Sequence, residues 1–138
     1  MNSVIKDWHA VVRDRDYKLL KSLLHKEAIF YSPIVFKPQK GRSLALAYLS
    51  AASNMFEGTG FHYVKEIVGE SEAILEFNAE IDSIQIDGAD IISWNAEGKI
   101  TEFKVMLRPL KAIEVVGQKM KAQLENMTLW DKLKIKFS

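Results

Sequence analysis

A single carboxyl, Asp90, lies in a stretch of alternating residues whose face is otherwise large and apolar. Period-two alternation places Ile84, Ile86, Gly88, Asp90, Ile92 and Trp94 on one face of a strand. Burial disfavours the charged form of a carboxyl and can raise its pKa by up to about 3–5 units when complete. Such a group would be a protonated hydrogen-bond donor or a strong base. Alternatively, a neighbouring tryptophan, tyrosine or backbone N–H satisfies Asp90, which then only holds the sheet together.

The other residue types that could do chemistry form no catalytic or metal-binding motif. The three histidines show no spacing that would place two metal ligands on one helical face, so we expect no metal site. GxGxxG, P-loop and GxSxG motifs are absent from the sequence, and we expect no cofactor and no hydrolase nucleophile. Tyr31, Tyr48 and Tyr63 could each supply a phenol to a pocket, or could pack only as core aromatic residues.

Three helices and one short strand are predicted in the first part of the chain. Apolar residues recur at helical spacing from Val4 to Val12, and Ser3 can cap this first helix. Asp16 is predicted to open a second short helix that ends near the polar run at 25–27, and a strand follows at 28–31. Gly41 precedes a third helix, which glycines at 58 and 60 end.

From Phe61 onward the hydrophobic period changes from 3.6 to 2 residues. Strands are predicted at 61–68, 73–82, 84–95 and 99–108, separated by short turns, as in an antiparallel meander. Pro109 suits the first turn of a closing helix. Helices followed by a sheet and then a helix predict the α+β fold class.

Composition excludes several classes of partner. The 138 residues suit one domain, and 19 basic against 18 acidic side chains leave a net charge of +1. No field of one sign is therefore available to hold nucleic acid or an anionic membrane, and we expect neither partner. The sequence has no cysteine, which suits a reducing compartment such as the cytoplasm. It has no signal-like or membrane-spanning apolar run, so we expect a soluble, unprocessed protein.

Four short segments, in this order and spacing, carry a resemblance to a known group. They are Ala28-Ile29-Phe30-Tyr31-Ser32-Pro33, Gly41-Arg42, the run from Asp90 to Ile100, and Arg108-Pro109. Over residues 2–126 the chain resembles the SnoaL-like branch of the nuclear transport factor 2-like superfamily. The resemblance implies a strongly curved antiparallel sheet wrapped into a cone (an α+β barrel) with three main helices, an interior cavity, and homodimers formed through the sheet's outer face. The superfamily includes isomerases, cyclases, dehydratases, epoxide hydrolases and binding proteins, so the resemblance does not imply one function.

Three positions can be compared with ketosteroid isomerases of this superfamily, which use a carboxylate base, a tyrosine donor and a protonated aspartic acid. The resemblance places Ser32 at the position of the base and Trp8 at that of the tyrosine, and only Asp90 matches. Serine cannot shuttle a proton at neutral pH without a base of its own, so isomerisation by that route is not expected. Trp8 and Asp90 could still polarise a ligand carbonyl between them.

We therefore predict that residues 1–128 form one domain that binds a small apolar, oxygen-bearing molecule in an interior pocket, with Asp90 orienting the ligand. The residues predicted to line this pocket are Trp8, Phe30, Ser32, Phe77, Ile92, Trp94, Phe103 and Val105. An alternative is an isomerase, cyclase or lyase acting on a polyketide-like or steroid-like carbonyl compound, with Asp90 as acid or base and Trp8 as donor. A third possibility is a dimeric interaction module without a ligand.

Residues 129–138 are predicted to form a C-terminal arm. Leu133, Ile135 and Phe137 alternate with lysines, as in an edge strand whose apolar side chains pack on the body or on a second subunit. A membrane-surface anchor is disfavoured, because electrostatic capture by lipid usually takes about four to eight basic residues.

Overall fold

The fold is a six-stranded curved sheet with helices packed against one of its faces. The computed structural model describes residues 3–126. The helices are α1 (Ser3–Asp14), α2 (Tyr17–Leu23), α3 (Arg42–Phe56) and α4 (Leu110–Glu125). The strands are β1 (Leu24–Tyr31), β2 (Gln39–Lys40), β3 (His62–Val68), β4 (Glu72–Ile81), β5 (Ile84–Trp94) and β6 (Ile100–Arg108). The α+β class is confirmed, and α2 is a short addition to the three helices expected to close the cone.

The sheet combines a local meander with one long-range pair of strands. Its order is β2-β1-β6-β5-β4-β3, in which β3, β4, β5 and β6 pair antiparallel as predicted. Strand β1 instead pairs parallel with β6, so Phe30 lies opposite Phe103. Within the meander, Asp90 lies between Leu75 on β4 and Val105 on β6. The topology thus brings the first strand of the chain beside the last.

The boundary between α2 and β1 differs from the prediction. Asp16 opens α2 as expected, because its side chain accepts a hydrogen bond from the amide of Leu19 at 2.9 Å. The helix ends at Leu23, and Leu24 is already extended and buried. The polar residues at 25–27 therefore form the first, solvent-facing part of β1 rather than the end of the helix. Burial of Leu24 against the sheet outweighs the helical pattern of its neighbours.

Alternation along β4 and β5 directs one set of side chains toward the helices. Ala73, Leu75, Phe77, Ala79 and Ile81 are all buried, and so are Ile86, Gly88, Asp90, Ile92 and Trp94. Phe77 pairs directly with Gly88 across the two strands. A Cβ at Gly88 would lie only 2.1 Å from Cζ of the Phe77 ring, so glycine is what allows this ring to lie directly on the backbone of β5.

The buried residues form two packed clusters. One contains α1, α2 and the adjoining ends of β4, β5 and β6, and the other contains α4 and the opposite ends of β4 and β5. The predicted C-terminal arm at 129–138 lies outside the described residues. Within residues 3–126, no helix is both long enough and apolar enough to cross a membrane.

Candidate functional site

A cavity of about 750 Å³ lies between the helices and the sheet. Its lining includes all four helices, the segment after β1, and inward residues of β3, β4, β5 and β6. The predicted lining residues that do line it are Trp8, Phe30, Ser32, Phe77, Phe103 and Val105, together with Asp90. Its wall is mostly apolar, and its volume is in the range of pockets that hold drug-sized ligands.

Two predicted lining residues do not reach the cavity. Ile92 and Trp94 face the helices and are buried, yet they belong to the packed cluster that includes Val4 and Ile5 of α1. They are absent from the cavity lining, and their placement there was wrong. The period-two alternation along β5 correctly predicted that Ile92 and Trp94 point toward the helices. It could not show that Val4 and Ile5 of α1 pack against this part of β5.

Asp90 is held in the cavity wall by a tyrosine of the neighbouring sheet edge. The side chain is only 5% exposed, and the hydroxyl of Tyr63 donates a hydrogen bond to its Oδ2 at 2.6 Å. Oδ1 has no hydrogen-bond partner among the described residues. Within residues 3–126 no fully buried polar side-chain atom lacks a partner, so Oδ1 must reach open space. Because Asp90 lines the cavity, that space is the cavity.

Trp8 lines the cavity, but its N–H is directed to Tyr63 and not into the cavity. Its indole Nε1–H donates to the Tyr63 hydroxyl at 2.9 Å, and its ring packs against Phe103 with ring centroids 4.8 Å apart. The indole has only this one donor and no acceptor. In this geometry Trp8 therefore does not offer a hydrogen bond to a ligand, contrary to the role predicted for it, and instead fixes the orientation of Tyr63.

Tyr63 is the residue that the sequence left undecided. Period two would place Tyr63, Lys65 and Ile67 on one face of β3, but the register shifts between Tyr63 and Lys65. This irregularity points Tyr63 inward beside Phe77 and leaves the rest of the strand largely exposed. The mixture of polar and apolar residues on both faces of β3 was the available signal. It did not say where the bulge falls.

Burial raises the pKa of both the Tyr63 hydroxyl and the Asp90 carboxyl. Removal from water raises the pKa of Asp90 from 3.8 to about 7, and the hydrogen bond from Tyr63 partly opposes this rise. Burial also raises the pKa of Tyr63 well above 10, and the neighbouring Asp90 charge adds to the effect. Asp90 therefore exists in both protonation states near neutral pH, whereas Tyr63 remains a phenol.

The hydrogen-bond directions determine where the proton of neutral Asp90 lies. Tyr63 accepts a hydrogen bond from Trp8 and donates its own O–H to Oδ2, so Oδ2 acts as an acceptor in this arrangement. The acidic proton of neutral Asp90 is then carried by Oδ1, which faces the cavity. The same atom becomes a hydrogen-bond acceptor when the carboxyl ionises. One position in the wall can thus donate to a carbonyl oxygen or accept from a hydroxyl.

Further proton-transfer groups are sparse around the cavity. Ser32 lines it, but its Oγ accepts hydrogen bonds from the amides of Ile34 at 3.0 Å and Val35 at 3.4 Å. No histidine is in the described lining, whose only other carboxyl belongs to Glu125, an exposed residue. Residues 3–126 contain no group of three or more acidic or histidine side chains that could hold a metal ion.

A curved sheet, closing helices and an interior cavity with one buried carboxyl define a nuclear transport factor 2-like domain. The family model described as "SnoaL-like domain" matches residues 5–103. The chain belongs to this family.

Solved structures of similar proteins agree with this assignment. A steroid delta-isomerase from Pseudomonas aeruginosa is 29% identical over 89% of this chain and 90% of that chain, with a TM-score of 0.84. An uncharacterized protein with a cystatin-like fold from Silicibacter pomeroyi is 28% identical over 99% of this chain and 94% of that chain, with a TM-score of 0.85. A nuclear transport factor 2-like protein from Mesorhizobium loti is 17% identical over 77% and 88% of the two chains, with a TM-score of 0.68. No curated protein matched the chain.

Proposed function

We propose that the domain binds a small apolar molecule carrying one carbonyl or hydroxyl oxygen, and that this oxygen pairs with Oδ1 of Asp90. The observation that carries this proposal is a carboxyl oxygen that has no partner among residues 3–126 and lies at the wall of a cavity of about 750 Å³. A buried polar atom is normally paired, so a ligand or water oxygen is the expected partner. The apolar lining supplies affinity, and the single polar position supplies orientation.

The protonation state of Asp90 would select between two kinds of oxygen. Neutral Asp90 donates from Oδ1 to a ketone, whereas ionised Asp90 has no proton to give. Ketone binding should therefore weaken about tenfold for each pH unit above about 7. An alcohol can accept from the acid or donate to the carboxylate, so its affinity should change less. His9 and Glu66 pair with each other beside the Tyr63 ring.

The test compares a decalone, the matching decalol and the hydrocarbon decalin by NMR titration over a range of pH. In Asp90→Asn the Tyr63 hydroxyl would donate to the amide oxygen, and the amide N–H would face the cavity. This variant should keep ketone affinity and lose its pH dependence, while Asp90→Leu should lose the preference for ketone over decalin. Ketone affinity that is unchanged in Asp90→Leu would refute the proposal.

A second candidate is an isomerase, cyclase or lyase that uses Asp90 to move a proton on a carbonyl compound. Two observations favour it: the pKa of Asp90 lies near 7, and a protein with 29% identity is a steroid delta-isomerase. An enzyme of this kind would exchange protons next to the ketone carbonyl in deuterium oxide. Exchange that requires Asp90 and stops in Asp90→Asn would favour the enzyme. Saturating binding without exchange would favour the binding protein.

The outer face of the sheet is the surface that we propose for a homodimer. Ile67, Ile74 and Met106 are exposed there, beside side chains of both charge signs such as Lys65 and Glu76. Mixed charges suit a two-fold interface, because the same patch must be complementary to itself. Ile74→Glu should convert a dimer to a monomer in sedimentation experiments, and an unchanged mass would contradict this interface.

The lack of cysteine supports a cytoplasmic location.

A further inference from the structure

A second polar group, the hydroxyl of Tyr48, belongs to the helical layer of the cavity wall. Tyr48 lies on α3, whereas Asp90 lies on β5 of the sheet, and both residues line the cavity. Tyr48 is half-buried and Asp90 is buried. Because the cavity lies between helices and sheet, the two residues belong to its two facing layers.

Aromatic contacts hold the ring of Tyr48 in place. The ring stacks on Phe30 with centroids 5.3 Å apart, and Phe30 in turn stacks on Phe103 with centroids 6.2 Å apart. Phe30 and Phe103 also line the cavity. A packed ring carries its hydroxyl at a defined position before a ligand arrives, which reduces the entropy that binding must remove.

The described cavity lining contains three tyrosines, and two of them use their hydroxyls within the protein. Tyr63 donates to Asp90 at 2.6 Å, and Tyr17 donates to Asn54 at 3.0 Å. The Tyr48 hydroxyl has no hydrogen-bond partner among residues 3–126. No fully buried polar side-chain atom of these residues lacks a partner, so the Tyr48 hydroxyl reaches open space. A phenol at an apolar wall normally has a partner, and a ligand oxygen can fill this role.

The order of the strands indicates how far apart the two polar positions lie. Tyr48 stacks on Phe30 of β1, and β6 separates β1 from β5, the strand of Asp90. Neighbouring strands lie about 4.8 Å apart, so these two strands are separated by about 10 Å. One small molecule can span a distance of this order, and a cavity of about 750 Å³ can hold it.

We propose that the ligand carries a second oxygen, to which the Tyr48 hydroxyl donates a hydrogen bond while Oδ1 of Asp90 pairs with the first. This inference rests on the proposed function, because it requires a ligand that is bound at Asp90. It narrows the ligand class to apolar molecules with an oxygen toward each end. The stacked rings of Phe30 and Phe103 contact the apolar body between the two oxygens.

Paired ligands test the second contact. Straight-chain diketones with a methyl ketone at each end, in a series of increasing length, are compared by NMR titration with monoketones of the same lengths. At the best length the diketone should bind about tenfold more tightly than the monoketone. About twofold of this preference is statistical, because either ketone can pair with Asp90, and about fivefold is the net value of one neutral hydrogen bond.

Tyr48→Phe removes the hydroxyl and keeps the ring. Its preference for the diketone should fall from about tenfold to the statistical value of about twofold. Both ligands are measured on the same variant, so any change in the fraction of folded protein cancels from the ratio. Tyr31→Phe is the matched control, because the Tyr31 hydroxyl donates to Glu102 and Tyr31 is not in the described cavity lining. It should keep the full preference.

Ser53 provides a second control on the same helix. It also lines the cavity, but a serine within a helix can donate its hydroxyl to a carbonyl of its own helix. Ser53→Ala should therefore keep the preference for the diketone. Loss of the preference in Ser53→Ala, together with its retention in Tyr48→Phe, would overturn the assignment to Tyr48.

The outcomes distinguish failure of this inference from failure of the proposed function. A preference of no more than about twofold at every chain length, or one that is equal in wild type and Tyr48→Phe, would overturn the second contact. Binding of the monoketone that depends on Asp90 would still stand in that case. Monoketone affinity that is unchanged in Asp90→Leu would instead refute the proposed function, and the present inference with it.

Discussion

Replacing Asp90 by asparagine should change how the stability of the domain depends on pH. Asp90 has a folded-state pKa of about 7 against an ordinary value of 3.8, because burial penalises its charge. A carboxyl whose pKa is higher in the folded state than in the unfolded state makes the folded protein most stable at low pH, where the carboxyl is protonated in both states. This contribution is complete below about pH 3.8 and is lost as pH rises through about 7.

The size of the effect follows from the difference between these two pKa values. A shift of about three units at about 1.4 kcal/mol per unit gives about 4 kcal/mol of stability lost between acid and alkaline conditions. The loss should accumulate at about 1.4 kcal/mol per pH unit and then level off above about pH 7. Asparagine has the same shape and cannot ionise. The free energy of unfolding of Asp90→Asn should therefore lack this component.

Urea denaturation of both proteins over this pH range provides the measurement. All other carboxyls contribute equally to the two proteins, so the difference between their unfolding free energies isolates Asp90. That difference should move in favour of the asparagine variant as pH rises. Curves that stay parallel from about pH 4 to pH 8 would refute the assignment of a strongly raised pKa to Asp90.

Substitutions at three further positions test the site and the packing of the fold. Tyr63→Phe removes a hydrogen bond that favours ionised Asp90, so carboxyl NMR should show its pKa rise further above about 7; an unchanged or lower value would contradict the hydrogen bond. Gly88→Ala forces the Phe77 ring away from β5 and should cost about 1–3 kcal/mol in urea denaturation, whereas a neutral result would contradict the close approach. Asp16→Ala should cost about 1 kcal/mol by loss of the α2 cap, and Asp16→Asn should retain most of that stability; equal losses would argue against capping.

The sequence predicted the parts of the fold that depend on local periodicity. Alternation along β4 and β5 correctly placed Asp90 among inward apolar residues, because both strands are paired on each side and run without interruption through this region. Asp16 likewise predicted the start of α2, because its side chain caps the helix by accepting a hydrogen bond from the amide of Leu19, three residues away. Such features are decided by residues within a few positions of each other, so a single sequence contains them.

Features that depend on tertiary packing could not be predicted from the sequence in the same way. Tyr63 contacts Asp90 only because a bulge changes the phase of an edge strand, and the residue composition of β3 does not fix the position of that bulge. Ile92 was assigned to the cavity because alternation gives a face but not the depth at which α1 packs. The partner of the Trp8 N–H was missed for the same reason, since it lies 55 positions away.

The parallel pairing of β1 with β6 has a consequence for how the chain folds. Tyr31 and Glu102 are joined across these strands although 71 positions separate them, whereas the hairpins of the meander close over a few residues. Closing the longer loop costs more chain entropy, so the meander should be structured in the rate-limiting step before β1 docks. Mutations between β4 and β5 should then slow refolding. Mutations at the β1 contact should mainly accelerate unfolding.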